Sequence, residues 1–321
     1  MKTLSQLTDF YYKSLHPTLT ELEEDRIALR KRVIFIEAIL ALIVLVTMYF
    51  MLGASSINLN TLLFVGFGYF AIAGIVYKLL IKGYASDFKF RVIAPLIKEI
   101  DINLKYTPSL HVNEALYTYS GIFTSSADRV NGNDLVKGKI DGIPIEFSDI
   151  HAEVKHKDSK GRTSWNTQFQ GLFLVSEFPK HFKGKTVILP DTAQSTFGDF
   201  IGSFLQSNNF SRNDLVKMDN VAFEKEFVVY GTDQVEARYI LSHTLMEKIL
   251  SFKKRSDHPV SLSFRGGKIY MAIEYNKDLF EPSVFHSLLK YKIAMEYVET
   301  LHLAIGIVEE LKLNQKLWSK L

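Results

Sequence analysis

The sequence contains no cysteine. Disulfides, thiolate zinc sites, iron–sulfur clusters and cysteine nucleophiles are therefore excluded. An excess of one charge sign is also lacking, because 38 Lys and Arg oppose 35 Asp and Glu for a net charge of +3. A dedicated nucleic-acid-binding protein normally shows a concentrated basic face, so we expect no nucleic-acid partner.

Charge is nearly absent from two long stretches. Residues 33–52 and 62–81 are apolar runs, and the connecting segment 53–61 holds no charged residue. A helix of about 20 residues, rising 1.5 Å per residue, covers the roughly 30 Å hydrocarbon core of a bilayer. Buried helices of a soluble core usually carry some polar face, whereas Ile39–Val46 has none. The pattern predicts a transmembrane hairpin over residues 33–81.

Basic residues flank the hairpin on the side away from its connecting loop. By the positive-inside rule, both chain ends then lie in the cytoplasm. The first run starts too late and is too long for a cleaved signal peptide, so we expect an uncleaved anchor. We predict cytoplasmic N-terminal helices over residues 1–32 and a cytoplasmic domain over residues 82–321. The flanking residues are Arg26, Arg30, Lys31, Arg32, Lys82, Lys89 and Arg91.

Two ionisable residues interrupt the apolar runs. Glu37 and Lys78 each lie about one turn inside the cytoplasmic end of a span, so antiparallel helices bring them to one depth. They could form a structural pair that fixes the hairpin register, or part of a proton or ion relay. A relay normally needs further intramembrane polar groups, and the pattern therefore favours the structural pair. Gly68, Ala71 and Gly74 form a stripe that permits close helix approach, within the hairpin or to a neighbouring copy.

Helical periodicity also surrounds the hairpin. Residues 1–18 predict a short amphipathic helix that ends at Pro17, and Glu21–Arg32 predict a helix that continues into the first span. Apolar residues recur every four positions over 86–104, with Pro95 either kinking that helix or opening a second one.

From Leu135 the apolar period changes to two, which predicts strands. Hairpins are indicated around Asp141-Gly142 and Gly266-Gly267, with further strands over 146–156, 165–178 and 186–189. Their short connections favour an antiparallel meander. Asp191 and Asp233 open capping-box patterns, and a long amphipathic helix over 289–311 ends the pattern. The expected fold class is α+β, a two-helix transmembrane hairpin followed by an antiparallel meander sheet packed by helices.

Motifs that would carry catalysis are weak or absent. Residues 183–186 (Lys-Gly-Lys-Thr) resemble the end of a P-loop, but Pro179 stands where that motif has glycine and a strand follows. Ser242-His243 adjacency is not a triad geometry, and Ser242 is better explained as a helix cap. We therefore predict no catalytic and no cofactor-binding residues.

Three further groups invite a functional reading. His151, Glu153 and His156 suggest a metal site, but strand alternation points His156 away from the other two, so we predict no metal site. Arg162 and Trp165 could bind an anion or a base, although a solvated hairpin tip whose aromatic ring folds onto the core is favoured. The acidic pairs Glu23-Glu24 and Glu309-Glu310 lie in helical patterns and are interpreted as solvated faces.

Six stretches carry a family resemblance: Gly138–Ser148 (GKIDGIPIEFS), Phe169–Phe173 (FQGLF), His181–Thr186 (HFKGKT), Glu224–Gly231 (EKEFVVYG), Glu236–Ser242 (EARYILS) and Asp278–Phe285 (DLFEPSVF). They resemble a family of bacterial two-span inner-membrane proteins of unknown function. The resemblance supplies no site residues, but it implies a bacterial inner-membrane location. It further implies genes near those of LemA-like small membrane proteins, so a LemA-like protein is a candidate partner.

Three functional hypotheses follow. The leading one is a non-enzymatic, membrane-tethered binding or scaffolding module that contacts lipid and binds a protein partner or itself, without a cofactor. The second is a hydrolase or transferase at the membrane surface, with a site assembled from distant residues. The third is an oligomeric channel or transporter component, which the apolar spans disfavour.

Overall fold

The structure is a computed structural model that describes residues 4–53, 59–123, 125–178, 182–191 and 214–312. It divides into two compact units. Among the described residues, the helical unit comprises those of Ser5–Pro95 and Glu281–Glu296, and the sheet unit comprises Leu4, those of Leu96–Phe280, and residues 297–312.

Each long helix of the helical unit contains a π-helical turn just before a proline. Helix α1 (Leu4–Phe10) passes through a π turn at Tyr11–Leu15 into α2 (His16–Gly53). The second helix, α3 (Leu59–Phe88), passes through a π turn at Lys89–Ile93 into α4 (Ala94–Ile100).

The prediction that Pro17 ends a helix is therefore wrong, and Pro95 neither ends its helix nor opens a separate one. Proline has no N–H to donate and its ring crowds the preceding turn. In the two π turns, His16 N–H donates to Tyr11 O and Ala94 N–H donates to Lys89 O. This wider turn accommodates the proline that follows it.

The apolar side chains of α2 and α3 change their surroundings along the helices. In the first part of α2 they are buried, with Leu19 and Leu22 at 2% and 0% exposure. In the stretches 34–51 and 63–79 they face outward, and Phe50 and Phe64 are 72% and 79% exposed. Both helices are long and apolar enough to cross a membrane. In the most apolar 18-residue stretch of each helix, at most 6% of the stretch is buried. Burial this low is unlike the core helix of a soluble protein.

The sheet unit is built on one antiparallel sheet of eight strands in the order β1-β2-β3-β4-β8-β7-β5-β6. Helices accompany it, so the predicted α+β class is confirmed. The strands are β1 (Lys105–Thr107), β2 (Arg129–Ile140), β3 (Ile143–Lys157), β4 (Thr163–Glu177), β5 (Lys185–Pro190), β6 (Phe227–Gly231), β7 (Val260–Arg265) and β8 (Lys268–Glu274). The helices are α5 (Glu114–Ser120), α6 (Val221–Glu224), α7 (Gln234–Ile240), α8 (His243–Ser256) and α9 (Tyr291–Lys312).

Two details of the strands differ from the sequence prediction. Strands β1 to β4 form the expected meander, but β5 does not pair with β4, because the β7–β8 hairpin lies between them. Strand β2 begins at Arg129, ahead of the predicted Leu135. A bulge at Asp134, with φ of 62°, interrupts the alternation of inward and outward side chains along β2. The first half of the strand therefore does not continue the period-two pattern that starts at Leu135.

Large aromatic side chains fill one side of the sheet. Tyr117 of α5 contacts Phe123, Phe169 and Phe173 in a cluster whose ring centroids lie 4.5 to 6.3 Å apart. The same cluster includes the buried Tyr270 of β8. Burial of such rings is a main source of stability in a domain of this kind.

The predicted helix caps are realised in different ways. Asp233 caps α7 by accepting hydrogen bonds from the N–H groups of Val235 and Glu236. Ser242 occupies the N-cap position of α8, but its side chain makes no capping hydrogen bond. The helix predicted after Asp191 lies outside the described residues.

Candidate functional site

The first candidate site is a pair of buried charges in the helical unit. The Arg26 guanidinium donates two hydrogen bonds to the Glu23 carboxylate, from Nε to Oε2 at 2.9 Å and from Nη2 to Oε1 at 2.8 Å. Their side chains are 6% and 11% exposed. This bidentate geometry is the strongest form of an ion pair between side chains. The interpretation of Glu23 as part of a solvated face is therefore wrong, whereas its neighbour Glu24 is exposed as expected.

The same two side chains hold a distant segment of the chain. Arg26 Nη1 donates to the carbonyl of Val284 at 2.6 Å, and Glu23 Oε2 accepts from the N–H of Leu288 at 3.1 Å. Val284 and Leu288 are both buried. The pair thus satisfies backbone groups that would otherwise be buried without partners. We call Glu23, Arg26 and the bound segment 284–288 the clamp.

Further contacts fix the segment on either side of the clamp. The buried Lys89 ammonium forms an ion pair with Glu281 at 2.5 Å. The ring of Phe285 stacks on that of Tyr77 with an interplanar angle of 8° and a centroid distance of 6.3 Å. Charged and aromatic contacts therefore join residues 281–288 to both long helices of the helical unit.

The environment of Glu23 lowers its pKa. Burial alone raises the pKa of a carboxyl, but hydrogen bonds from Arg26, Ser287 and the Leu288 backbone outweigh burial and bring the Glu23 pKa below its usual value. Glu23 is therefore ionised at neutral pH, which its partner Arg26 requires.

The second candidate site is an exposed two-stranded ribbon in the sheet unit. Residues 154–167 form the ends of β3 and β4 and their connecting turn, and we call this ribbon the arm. Its register runs from Val154↔Asn166 to Lys157↔Thr163. These four pairs, at about 3.4 Å each, extend it by about 14 Å. Asp158 fixes the turn by accepting hydrogen bonds from the N–H groups of Lys160 and Arg162.

The two faces of the arm differ in charge. Lys155 lies opposite Trp165 in the register, and directly opposite residues point to the same face, which also carries Lys157. The other face carries His156, Ser164 and Asn166. One face is therefore cationic and aromatic, and the other is polar without a fixed charge.

The tryptophan of the arm lies close to two cations. The Arg129 guanidinium lies 4.1 Å from the centroid of the Trp165 ring, and Lys155 Nζ lies 5.9 Å from it. Arg129 also donates to Glu153 at 2.5 Å. Trp165 remains 40% exposed, so the expected solvated hairpin tip is present, but its ring packs against Arg129 instead of the core.

The predicted intramembrane pair is not formed in the structure. Among the described residues no ion pair joins Glu37 to Lys78. Glu37 Oε1 is buried without a hydrogen-bond partner, and Lys78 is exposed on the outer side of α3. Gly68 and Gly74 also face outward, because a Cβ added at either position would meet no heavy atom within 4 Å.

The sequence 183–186 does not form a phosphate cradle. The N–H groups of Lys183 and Gly184 both donate to the carboxylate of Glu236, each at 2.7 Å. Those are the donors that a phosphate would need, and strand β5 follows them instead of a helix. Glu236 thus leaves the expected capping box and joins α7 to the turn before β5.

The histidine candidates stay apart from one another. His151 contacts Thr167, and Glu153 is held by Arg129, while His156 lies on the other face of the ribbon. Across the part of the chain that the structure describes, no group of three His, Asp or Glu residues could hold a metal ion. His243 pairs with Glu247 on the surface of α8 at 3.2 Å, away from a triad arrangement with Ser242.

The structure also brings together two basic side chains that the sequence did not single out. Lys185 and Arg265 lie directly opposite each other on β5 and β7. Burial, together with the nearby charge of Arg265, lowers the pKa of Lys185 to about 8. Arg265 in turn stacks on the Tyr119 ring at 4.1 Å and donates to the Tyr119 carbonyl at 2.8 Å. Two adjacent cations of this kind suit an anionic group.

A groove of about 760 Å³ lies where α8 meets the ends of β5 and β7. Its charged groups have mixed signs, and the ammonium of Lys253 is paired with Glu226. A groove of this composition does not indicate a particular ligand.

Comparison with known proteins places part of the chain in context. Residues 167–313 match the family described as "Protein of unknown function (DUF3137)". The predicted resemblance to a family of unknown function is thereby confirmed. The DUF3137 match begins in β4 and leaves out both apolar helices and most of the arm. Among curated proteins, none matches the chain.

A solved structure is also similar at a distance. The crystal structure of the mycobacterial trehalose monomycolate transport factor A, TtfA, aligns with a TM-score of 0.34 and 10% sequence identity. The alignment covers 65% of this chain and 90% of that one. A similarity at this level carries no argument about fold or function.

Proposed function

We propose that this protein is a membrane-tethered binding module of the bacterial inner membrane, with both termini and the sheet unit in the cytoplasm. The observation that carries the proposal is the outward exposure of apolar side chains along residues 34–51 and 63–79. Exposed apolar surface of this extent needs lipid or protein to cover it. The basic residues at the ends away from the loop support the cytoplasmic orientation.

The binding role is supported by the way the charges are distributed. The clamp uses its charges internally, to hold residues 284–288 within the helical unit. The arm instead presents Lys155, Lys157 and an exposed tryptophan to the surroundings. Tryptophan and cationic side chains on an exposed surface are typical of recognition sites. We propose that the arm is the binding surface, for a protein partner such as a LemA-like membrane protein, for a second copy, or for lipid.

Protease accessibility tests the tether and its orientation. Lys160 and Arg162 are exposed at the turn of the arm, so trypsin should cut there. We expect this cleavage in inverted inner-membrane vesicles and not in intact spheroplasts. A Lys160→Gln, Arg162→Gln variant should lose the fragment and so identifies the site. Cleavage in spheroplasts, or a purified chain that stays soluble without detergent, would overturn the proposal.

A photo-crosslinking residue tests the binding role. Placed at Ser164 or at Lys157, it samples the neutral or the cationic face of the arm. We expect cross-linked products from Lys157 and few from Ser164. Equal yields from both faces, or a chain that is monomeric and uncross-linked in the membrane, would contradict a binding module.

A hydrolase or transferase at the membrane surface is the second candidate. Lys185 supports it, because a lysine whose pKa is near 8 can act as a base or nucleophile and the adjacent Arg265 can hold an anionic group. Its test is covalent labelling of Lys185 by a substrate-like acyl phosphate, which should require Arg265. Labelling no faster than that of exposed lysines would remove this candidate.

A further inference from the structure

The arm holds a concentration of charge that the chain as a whole lacks. Between Val154 and Thr167 there are four cationic side chains and one carboxylate, Asp158, for a net charge of +3. The whole chain has the same net charge. Asp158 is also engaged in its own turn, where it bonds the Arg162 guanidinium at 3.1 Å. The arm itself therefore contains no further carboxylate to balance its other three cations.

The tryptophan indicates which kind of anion fits. A base of a nucleic acid would stack on a free ring face. The guanidinium of Arg129 already covers a face of Trp165 at 4.1 Å. Trp165 is 40% exposed and lies close to two cations. Such an indole is suited to the headgroup region, where its N–H meets polar groups and its ring meets acyl chains.

The shape and the attachment of the arm favour the same partner. Lys155 and Lys157 share one face of a narrow ribbon, and a one-sided charge pattern suits an extended anionic surface. The chain also carries two helices able to cross a membrane, so covalent attachment keeps the arm's local lipid concentration high. Cations near an anionic leaflet each contribute to attraction that salt screens.

We propose that the arm binds the anionic lipid headgroups of a bilayer surface through Lys155, Lys157, Arg129 and Trp165. This inference rests on the proposed function, because it names the partner of the same surface. Each cation removed from the face should weaken binding about fivefold.

The experiment uses the full chain, reconstituted in vesicles. The sequence has two tryptophans, so the substitution Trp318→Phe leaves Trp165 as the only one. In vesicles with brominated phosphatidylglycerol, we expect a blue-shifted and quenched Trp165 emission. Neither change should occur in brominated phosphatidylcholine, and high salt should reverse both.

Matched variants separate the two faces of the arm. Lys155→Gln with Lys157→Gln should abolish most of the quenching, whereas His156→Gln with Ser164→Ala, on the other face, should leave it unchanged. Lys157→Arg should retain it, because the charge is kept. Loss of quenching with both double variants would mean that the ribbon itself had changed, and circular dichroism would reveal this.

Other outcomes overturn the proposal. The proposal is wrong if Trp165 emission is not quenched in vesicles with brominated phosphatidylglycerol, or if it is quenched equally in both lipids. A duplex oligonucleotide or polyglutamate can also be added to the chain in neutral vesicles. If either changes the Trp165 emission more than phosphatidylglycerol does, the arm is a nucleic-acid or acidic-protein site instead. Vesicle flotation separates these failures from failure of the tether, because a tethered chain floats with both lipids whatever the arm binds.

Discussion

An arginine and a glutamate meet in the clamp and again beside the arm, and the two arginines differ in their exposure while the two glutamates do not. Arg26 and Glu23 are 6% and 11% exposed, and their remaining hydrogen-bonding groups bind the backbone of residues 284–288. Arg129 is 46% exposed, and its guanidinium lies between Glu153 and the ring of Trp165. The same two residue types therefore bury the arginine in one place and leave it half-exposed, beside the Trp165 ring, in the other.

Removing the arginine from each pair should separate these roles most clearly. We expect Arg26→Ala to destabilise the chain by about 3–5 kcal/mol, because it leaves the Glu23 carboxylate and the Val284 carbonyl buried without their donor. The midpoint of thermal unfolding in nanodiscs should fall by on the order of 10 °C. Arg91→Ala breaks an exposed ion pair with Glu21 and is the matched control, with a change of about 2 °C or less. If the unfolding midpoint shifted equally in the two variants, the buried pair of the clamp would contribute no more stability than the exposed pair of Arg91 and Glu21.

The pH dependence of the clamp gives a smaller effect with a definite sign. Because the Glu23 pKa is lowered in the folded state, the carboxylate stabilises the fold above its usual value of 4.5. That contribution disappears as the pH falls through the folded-state pKa. Glu23→Gln should cost about 2 kcal/mol at pH 7. The difference between the two proteins should shrink as the pH is lowered below about 4.5, and a constant difference would contradict the assignment.

The clamp could not be predicted from local sequence patterns, for a physical reason. Glu23 and Arg26 are three positions apart on a helix, a spacing that normally marks a surface pair. Their burial depends on Val284 and Leu288, which lie 258 and 265 positions away from them in the chain. Local periodicity holds no information about such contacts.

Other parts of the fold were accessible to local patterns. The apolar runs, the hairpin at Gly266-Gly267 and the cap of α7 at Asp233 depend on neighbouring residues, and all three are present. The pairing of β5 with β7 was missed, because a short connection from β4 does not require the two strands to be neighbours. The arm was located by its turn residues, but the position of Trp165 depends on Arg129 of another strand.

Lys185 differs from both arginine–glutamate pairs, because its neighbour Arg265 has the same sign of charge. Its pKa is lowered to about 8 from an ordinary value of 10.5, so the charged form is disfavoured in the folded state. Stability should consequently rise as the pH increases from about 8 to 10.5. Labelling of Lys185 by an amine-reactive reagent should show a midpoint near pH 8, and Arg265→Gln should move it upward. A midpoint near 10.5 in the unsubstituted chain would remove the special status of this residue.

The smallest stability effect is expected at the arm itself. Arg129→Ala takes the guanidinium from Glu153, whose side chain is 12% exposed, and removes a ring contact, but unlike Arg26 it donates to no buried backbone carbonyl. The unfolding midpoint should therefore fall less than with Arg26→Ala, by about 4 °C or less. The emission of Trp165 should nevertheless shift to the red, because the ring loses the guanidinium that covers one face. Lys157→Gln is the control, since it removes a cation from the same face without uncovering the ring. If Arg129→Ala lowered the midpoint as much as Arg26→Ala, the arm would be a structural element, and its exposed charge would no longer argue for binding.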